Sequence, residues 1–405
     1  MDFRSIPLDE ATAAAWRDMR AYLDEHLNTA VADHEWRTGD RHSPPVHAAL
    51  AARGWVAPTW PTEEGGVGMD PLLGAIFEEE LDQRDLPRVT RAESFISVLA
   101  VRSHGSPELQ ARVIPAVARG EMRMTLGWTE PDCGSDIAAS RTRAARAPDG
   151  GGWTINGSKM YSTGAHLCTH SFLLTRTNPD VSKHRGLTMF LCPLDLPGVE
   201  IGAVRTLGGE RTNAVFFTDV AVDDAWRVGD VDDGWAVLQA PLAVDQGGVI
   251  QTPIAVGDAH LHTELGRALS AAVAWARRPG PDGRVPLDDA AVRARLARVE
   301  LDLEVVAVSP PGPFHKVTAS ELLIRDAADL LDLLGPDGYL TRWDPAAPGN
   351  GAIEHAHRFS PGTAIYSGTN DIHRTMIAER FLGLPRSRPA DRRGPATAGA
   401  AEGAR

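Results

Sequence analysis

Two short segments carry the residue types that bind a charged cofactor. Residues 128–136 read Trp-Thr-Glu-Pro-Asp-Cys-Gly-Ser-Asp, and residues 156–164 read Asn-Gly-Ser-Lys-Met-Tyr-Ser-Thr-Gly. In the first segment, Gly134 and Ser135 leave room for backbone N–H groups to converge on an anion, and the serine adds a hydroxyl donor. A loop of small residues that follows a strand suits a pyrophosphate, so the segment predicts a phosphate-binding loop. The alternative is an ordinary β-turn with an aspartate cap.

The second segment allows a purely structural interpretation as well. An Asn-Gly pair is the strongest short signal for a β-hairpin. On that basis Asn156 and Gly157 form a type I′ turn that joins a strand at 153–155 to a strand at 159–161. This interpretation accounts for the turn but not for the first segment.

Together the two segments resemble the paired flavin-binding motifs of the acyl-CoA dehydrogenase family. The resemblance extends over roughly residues 5–385. It implies FAD as the cofactor and an acyl thioester as the substrate. The cofactor-binding residues that it implies are Trp128, Thr129, Gly134, Ser135, Tyr161, Thr163 and Thr369.

The resemblance also gives most of these residues a role. Trp128 and Thr129 would face the pyrimidine end of the isoalloxazine ring, and Ser135 would meet the pyrophosphate. Tyr161 stands where the family usually has Trp, a change that keeps an aromatic plane for stacking. Thr163 would hydrogen-bond near N4 and N5 of the flavin.

The catalytic positions depart from the family pattern. Many members place a catalytic Glu in a Tyr-Glu-Gly-Thr run, whereas residues 366–369 read Tyr-Ser-Gly-Thr. Ser367 cannot deprotonate a thioester α-carbon without a base of its own, but its backbone N–H remains as a donor to the thioester carbonyl. Some branches carry the base on the first long helix of the C-terminal domain, where Asp245 lies here. We therefore expect Asp245 to be the base and Ser367 to assist.

Two further residues are expected at the substrate. Gln246 follows Asp245 and replaces an Arg that is common at that place. Arg211 belongs to the run 207–213, which looks like the family's substrate-side loop. Pro241 and the glycines at 247 and 248 are poor helix-interior residues, so we expect the backbone here to differ from that of relatives.

The reaction implied is α,β-desaturation of an acyl thioester carried by CoA or by an acyl carrier protein. A base removes the proton at Cα while hydride leaves Cβ for the flavin N5. The missing Glu also leaves open a flavin monooxygenase that hydroxylates nitrogen or carbon. A third alternative is a non-catalytic subunit that completes the site of a partner.

The part of the cofactor site that family dimers supply from the neighbouring subunit is also altered. Asp332 stands in the place of a Gln, and an Asp beside a pyrophosphate would repel it. Arg277, Arg278 or Arg284 would have to compensate. We therefore expect either a homo-oligomer or a hetero-oligomer with a related chain, with electron-transferring flavoprotein or a similar protein as electron acceptor.

The composition agrees with an enzyme and excludes other classes. At 405 residues, with 43% hydrophobic and 23% charged residues, the chain is globular and long enough for two or three domains. A net charge of −13 argues against nucleic acid as a partner. We expect neither a signal peptide nor a membrane span. The three cysteines are an odd number without metal-ligand spacing, so we expect a cytoplasmic location and no metal site.

The periodicity predicts helices, then strands, then helices, and the resemblance implies an α+β fold of the acyl-CoA dehydrogenase type with a C-terminal four-helix bundle. Residues 1–122 are mostly helical, with a break at 105–107, and form an N-terminal helical domain. Residues 123–230 alternate in short runs and predict a central β-barrel or sandwich. Residues 231–385 return to a helical pattern, read as a C-terminal four-helix bundle. Residues 386–405 lack periodicity and predict a disordered tail.

Overall fold

The computed structural model describes residues 8–26, 29–40, 42–84, 89–148, 150–245 and 260–385. Gln246 and the tail at 386–405 lie outside the described residues. Within them the chain runs through helices, then a sheet, then helices again, which is the predicted order.

The N-terminal helices begin and end at local sequence signals. Ser106 Oγ accepts a hydrogen bond from Leu109 N at 3.2 Å, and Pro107 opens the helix, which explains the predicted break. Asp70 caps the helix at Pro71 in the same way. The helices are α1 (Glu10–His26), α2 (Thr29–Thr38), α3 (Pro44–Ala52), α4 (Pro71–Gln83), α5 (Val89–His104) and α6 (Pro107–Ala118).

The central strands form one sheet of eight. They are β1 (Met124–Gly127), β2 (Arg143–Arg146), β3 (Gly152–Lys159), β4 (His170–Arg176), β5 (Leu187–Pro193), β6 (Val199–Arg205), β7 (Arg211–Asp223) and β8 (Arg227–Val228). Their order is β6-β7-β3-β2-β4-β5-β8, with β1 parallel to β4. Strands β4 and β5 are buried almost throughout, because helices α5 and α6 cover one face and the other face packs on β3 and β7.

The hairpin interpretation of Asn156–Gly157 is wrong. Both residues lie inside β3, which continues to Lys159 opposite β7 with a register shift between Ile155 and Gly157. Asn156 Nδ2 donates to Asp219 Oδ1 at 3.0 Å, and Asp219 N donates back to Asn156 Oδ1 at 2.9 Å. The dipeptide therefore makes a β-bulge, and its side chain pairs with a strand far along the chain.

The C-terminal helices pack around one apolar core. The elements are α7 (Gly234–Asp245), α8 (His260–Ala276), α9 (Ala290–Val308), α10 (Pro313–Leu334), α11 (Ala352–Thr363), α12 (Asn370–Met376) and a π-helical turn (Ile377–Phe381). Helices α8, α9, α10 and α11 contribute the buried residues of this core, for example Leu265, Val299, Leu323 and Ile353. These four helices form the C-terminal bundle that the resemblance implies.

The connection between β6 and β7 is where the three domains meet. Arg211 N donates to Gly39 O at 2.7 Å, and Arg358 Nη1 donates to Leu207 O at 3.0 Å. Gly39 has φ +73°, and a Cβ there would lie 2.4 Å from Gly209 O, so only glycine permits this approach. Both helical domains therefore hold the same edge of the sheet. None of the described helices is long and apolar enough to cross a membrane.

Candidate flavin-binding wall and catalytic residues

The two predicted motifs lie side by side. Strand β1 ends at Gly127 and β3 ends at Lys159, so each motif contains the residues that follow a strand. Met160 N donates to Thr129 O at 2.9 Å, and Lys159 Nζ donates to Trp128 O at 3.4 Å. Segments some 30 positions apart thus form one surface, which we call the wall: residues 128–136 and 159–164.

A buried ion pair joins the two halves of the wall. Lys159 Nζ lies 2.7 Å from Glu130 Oε1, and the lysine side chain is wholly buried. Ser140 Oγ donates to the same carboxylate at 2.6 Å, and Arg141 N donates to it at 2.7 Å. Burial would raise the pKa of Glu130, but Lys159 and these donors outweigh it and lower the pKa to about 2. The Glu130 carboxylate therefore stays ionised although it is buried.

Sequence reasoning missed this pair. Its only sequence signal is one acidic residue in the first motif and one basic residue in the second. Glu130 and Lys159 are fixed by each other and by the backbone of 141–142 rather than by solvent. The pair therefore positions Trp128, Thr129 and Tyr161, its neighbours in the chain.

The wall exposes groups that suit a planar heteroaromatic ring. Trp128 is 6% exposed, and its Nε1 has no hydrogen-bond partner in the described part of the chain. Tyr161 has φ +59° and is 62% exposed, so its ring projects from the wall. An aromatic face and an unpartnered N–H donor are what a flavin ring system would use. These residues fit the cofactor.

The loop at 132–136 suits a diphosphate. Gly134 and Ser135 are exposed, and a Cβ on Gly134 would meet only Thr129 Cγ2, at 3.9 Å. The two nearby carboxylates are each paired: Asp136 with Lys183 at 2.7 Å and Asp132 with Arg141 at 3.4 Å. Their repulsion of an anion is reduced, and the small-residue loop stays open to one.

Strand β7 braces the second half of the wall. Asn213 Nδ2 donates to Ser162 O at 3.0 Å, and Thr163 Oγ1 donates to Thr212 Oγ1 at 3.2 Å. Thr125 Oγ1 donates to Thr163 O at 2.8 Å. Arg211 lies in the same strand, where its Nε donates to Asn213 Oδ1 at 3.2 Å. The structure thus brings Arg211 next to the residues that hold the wall.

Ser367 and Thr369 lie on the short connection between α11 and α12. Ser367 has φ +52° and Gly368 has φ +81°, and His373 Nε2 lies 3.0 Å from Ser367 O. Thr369 Oγ1 caps α12 by accepting from Ile372 N at 3.2 Å. The helix cap fixes the end of this connection at the start of α12.

Asp245 is the last described residue of α7, and Gln246 lies beyond the described range. Helix α7 continues through Pro241 to Asp245, whereas Gly247 and Gly248 lie outside the described residues, so the expected difference from relatives stays a prediction. Val237 and Leu238, both fully buried, belong to the apolar core that also contains residues of α5 and β5. That packing outweighs the hydrogen bond that proline removes.

Asp332, which we expected in the part of the cofactor site that a neighbouring subunit supplies, has a neighbour that the sequence did not reveal. Asp332 is 78% exposed and pairs with Arg295 Nη2 at 2.8 Å. Arg284, one of the residues expected to compensate, is 90% exposed and pairs with Asp282 at 3.7 Å. The charge of Asp332 is therefore balanced from α9.

Comparison with known proteins covers most of the chain. Models of the acyl-CoA dehydrogenase N-terminal, middle and C-terminal domains match residues 9–121, 125–220 and 307–382. The chain is 33% identical over 361 residues to acyl-CoA dehydrogenase IpdE1 of Mycobacterium tuberculosis, covering 83% of this chain and 86% of that protein. The chain belongs to the acyl-CoA dehydrogenase family. The predicted family and fold class are thereby confirmed.

Other family members agree with this assignment. Acyl-CoA dehydrogenase FadE26 of M. tuberculosis is 29% identical, with 84% of this chain and 87% of that protein covered. The ChsE4-ChsE5 complex of M. tuberculosis has a chain that superposes with a TM-score of 0.78 at 26% identity, covering 95% of this chain and 100% of that one. A steroid ACAD, Tcur3481-Tcur3483, gives a TM-score of 0.78 at 26% identity, with 96% and 100% covered. This acyl-CoA dehydrogenase is therefore a flavoprotein oxidoreductase of acyl-CoA metabolism.

Proposed function

We propose that the protein catalyses FAD-dependent α,β-desaturation of an acyl thioester. The observation that carries the proposal is the wall, in which Trp128 Nε1 is buried without a partner among the described residues while the Tyr161 ring is exposed. A buried donor left unpaired costs about 1–3 kcal/mol, so an acceptor on a bound ring would stabilise the protein. FAD, when bound, supplies the acceptor for the hydride that leaves Cβ.

In this proposal the chain's own residues divide three tasks. The ring is oriented by four residues of the wall: Trp128, Thr129, Tyr161 and Thr163. Thr369 also contacts the ring. Gly134 and Ser135 bind the diphosphate. Asp245 takes the proton from Cα, and the Ser367 N–H stabilises the thioester oxygen as charge develops. Arg211 and Gln246 contact the substrate.

Anaerobic titration with acyl-CoA tests the reaction. A desaturase bleaches its flavin absorbance when the thioester is added without oxygen. Asp245→Asn should keep the flavin and lose about 10²- to 10⁴-fold in bleaching rate, which is the usual contribution of a general base. Asp282→Asn is the matched control, because Asp282 is exposed in the α8–α9 connection. An unchanged rate in Asp245→Asn would remove Asp245 from the mechanism.

A flavin monooxygenase is the second candidate. It is favoured by the serine at position 367, where a base would otherwise stand. Its signature is oxygen uptake that depends on an NAD(P)H-driven reductase and on an amine or carbon substrate. Oxygen uptake of this kind without acyl-CoA bleaching would replace desaturation by hydroxylation.

We further propose that the active assembly contains a second, related chain. Two structural neighbours are complexes of two named chains, ChsE4-ChsE5 and Tcur3481-Tcur3483. An exposed apolar face on α9, formed by Leu301, Val305 and Val308, is available for such contact.

Electron-transferring flavoprotein or a similar protein is the proposed acceptor. A cytoplasmic location is proposed because Cys133, Cys168 and Cys192 carry free thiols.

Size-exclusion chromatography with flavin quantification tests the assembly. If a related chain is needed, this chain expressed alone should carry less than one flavin per chain, and co-expression with the related chain should restore it. One flavin per chain in a homo-oligomer would contradict the hetero-oligomer. Full flavin only with the related chain, and no loss of bleaching when Asp245 is changed, would instead mark this chain as the non-catalytic subunit.

A further inference from the structure

A pocket of about 470 Å³ lies behind the wall. Helix α3, the turn at 120–123 and the 3₁₀ turn Ala165–Leu167 enclose it. Its polar lining consists of three imidazoles and one guanidinium: His42, His47, His166 and Arg123. Small-molecule sites in proteins usually measure about 300–1,000 Å³, so the space suits a small organic ligand.

The lining offers donors rather than acceptors. Arg123 Nε donates to Leu167 O at 2.9 Å and Nη1 donates to Gly120 O at 3.3 Å. No carboxylate among the described residues forms an ion pair with this guanidinium. His42 is 4% exposed, and its Nδ1 lies 2.5 Å from Thr90 Oγ1. No described residue hydrogen-bonds to its Nε2, so this ring nitrogen of a buried histidine is left for a ligand in the pocket.

The electrostatic balance at His42 favours an anion. Burial, followed by His47, Arg123 and His166 in that order, lowers the pKa of His42 to about 3. Burial is also the main cause that lowers the pKa of His47, with smaller contributions from Arg123 and Arg91. Arg123 is the permanent cation among the groups that act on His42, and an anion in the pocket would be attracted to it.

Two acidic residues, Asp40 and Glu93, act on residues that line the pocket. Asp40 Oδ1 lies 3.0 Å from His166 Nε2, although the two are not aligned as a hydrogen bond. Glu93 of α5 acts on Cys168, whose pKa burial raises. His166 itself has its pKa lowered by burial and by Arg211, against the effect of Asp40. Among the lining residues Arg123 therefore carries the positive charge that an anion would meet, because the lowered pKa values of His42 and His166 disfavour their charged forms.

We propose that this pocket binds a small organic anion, a carboxylate or a phosphate ester, at a site separate from the acyl thioester. Arg123 supplies the charge, and the free ring nitrogen of His42 supplies a directed hydrogen bond. The site is connected to both halves of the wall through neighbouring residues. Arg123 lies at the start of β1, and Asn213 contacts both Ser162 O and His166 Nδ1, the latter at 3.3 Å. Anion binding is therefore coupled to the backbone that carries Tyr161 and Thr163.

Calorimetric titration of the full chain with inorganic phosphate and with succinate tests the site. We expect saturable binding of at least one probe at pH 7, where Arg123 carries the charge and the lowered pKa of His42 leaves its ring neutral. Binding of phosphate alone identifies a phosphate ester as the ligand class, and binding of succinate alone identifies a carboxylate. Failure of both probes to saturate overturns the proposal. The measurement needs no substrate, so its failure leaves the proposed desaturation untouched.

Four variants separate the site from general effects on folding. Arg123→Gln should weaken binding about tenfold, the usual effect of losing a charge-assisted hydrogen bond. Arg123→Lys should keep most of the affinity. His42→Asn retains a group in the place of Nδ1 for Thr90 but loses Nε2, so it should also weaken binding. Arg284→Gln, a change at an exposed arginine, is the control. Equal affinity in wild type and Arg123→Gln, with melting temperatures unchanged, overturns the proposal.

Discussion

Lys159 and Glu130, one from each motif of the wall, form an ion pair in which both side chains are at least nine-tenths buried, with Nζ 2.7 Å from Oε1. The Lys159 ammonium also donates to Trp128 O, so the positions of the two motifs depend on each other. The pair therefore connects the two halves of the wall to the core of the sheet. Removing one partner leaves the other as an uncompensated buried charge.

We expect Lys159→Met to destabilise the protein by about 3–5 kcal/mol and to lower its flavin content. The reason is that the Glu130 carboxylate would keep its burial but lose its countercharge. Urea unfolding followed by circular dichroism, together with flavin absorbance of the purified variant, measures both effects. Lys183→Met is the matched control: its pair with Asp136 is half-exposed and should contribute less than about 1 kcal/mol. Equal losses in the two variants would contradict the role of the buried pair.

Glu130 also predicts how stability depends on pH. Its pKa falls from 4.5 to about 2 on folding, so the unfolded chain binds the proton more readily. The stabilisation by Glu130 is therefore complete above pH 4.5 and is lost as the pH falls toward 2. Unfolding free energies between pH 6 and pH 3 in wild type and in Glu130→Gln should show a steeper decline in wild type. Parallel curves would show that the carboxylate contributes nothing in this range.

The order of domains and many helix ends followed from local signals. A Ser-Pro pair before an apolar stripe favours the start of a helix. In the structure Ser106 is the N-cap of α6 and Pro107 is its first residue. The change to strands predicted near residue 123 corresponds to the start of β1 at Met124. These features depend on neighbours a few residues away, which a single sequence displays directly.

The features that sequence reasoning missed depend on distant partners. An Asn-Gly pair is compatible with a hairpin turn and with a β-bulge. Here only the pairing of Asn156 with Asp219 decides for the bulge. The contact of Lys159 with Glu130 and that of Asp332 with Arg295 cross 29 and 37 positions. Residue types suggested the wall, but the contacts that hold it are tertiary.

Gly157→Ala tests the bulge. Gly157 has φ +146°, and a Cβ there would lie 2.7 Å from Thr142 Cα, so alanine brings both strain and a clash with backbone. We expect a loss of about 1–3 kcal/mol and a displaced wall with less bound flavin. Gly150→Ala is the control, since Gly150 has φ +73° but no atom within 4 Å of the added Cβ. A loss at Gly157 no larger than that at Gly150 would show that the contact with Thr142 is unimportant.

The variant Ser367→Ala removes the serine hydroxyl and keeps the backbone N–H, so it distinguishes the roles of the two groups. Our proposal assigns the thioester contact to the Ser367 N–H, which alanine retains, so turnover should stay within about threefold of wild type, far from the loss expected for a missing base. Alanine meets the same backbone strain as serine at φ +52°, so the connection between α11 and α12 should keep its conformation. Single-turnover flavin reduction by acyl-CoA measures the effect, and Asp245→Asn under the same conditions provides the contrast. A large loss in Ser367→Ala, with Asp245→Asn unaffected, would place the reacting group on the serine instead.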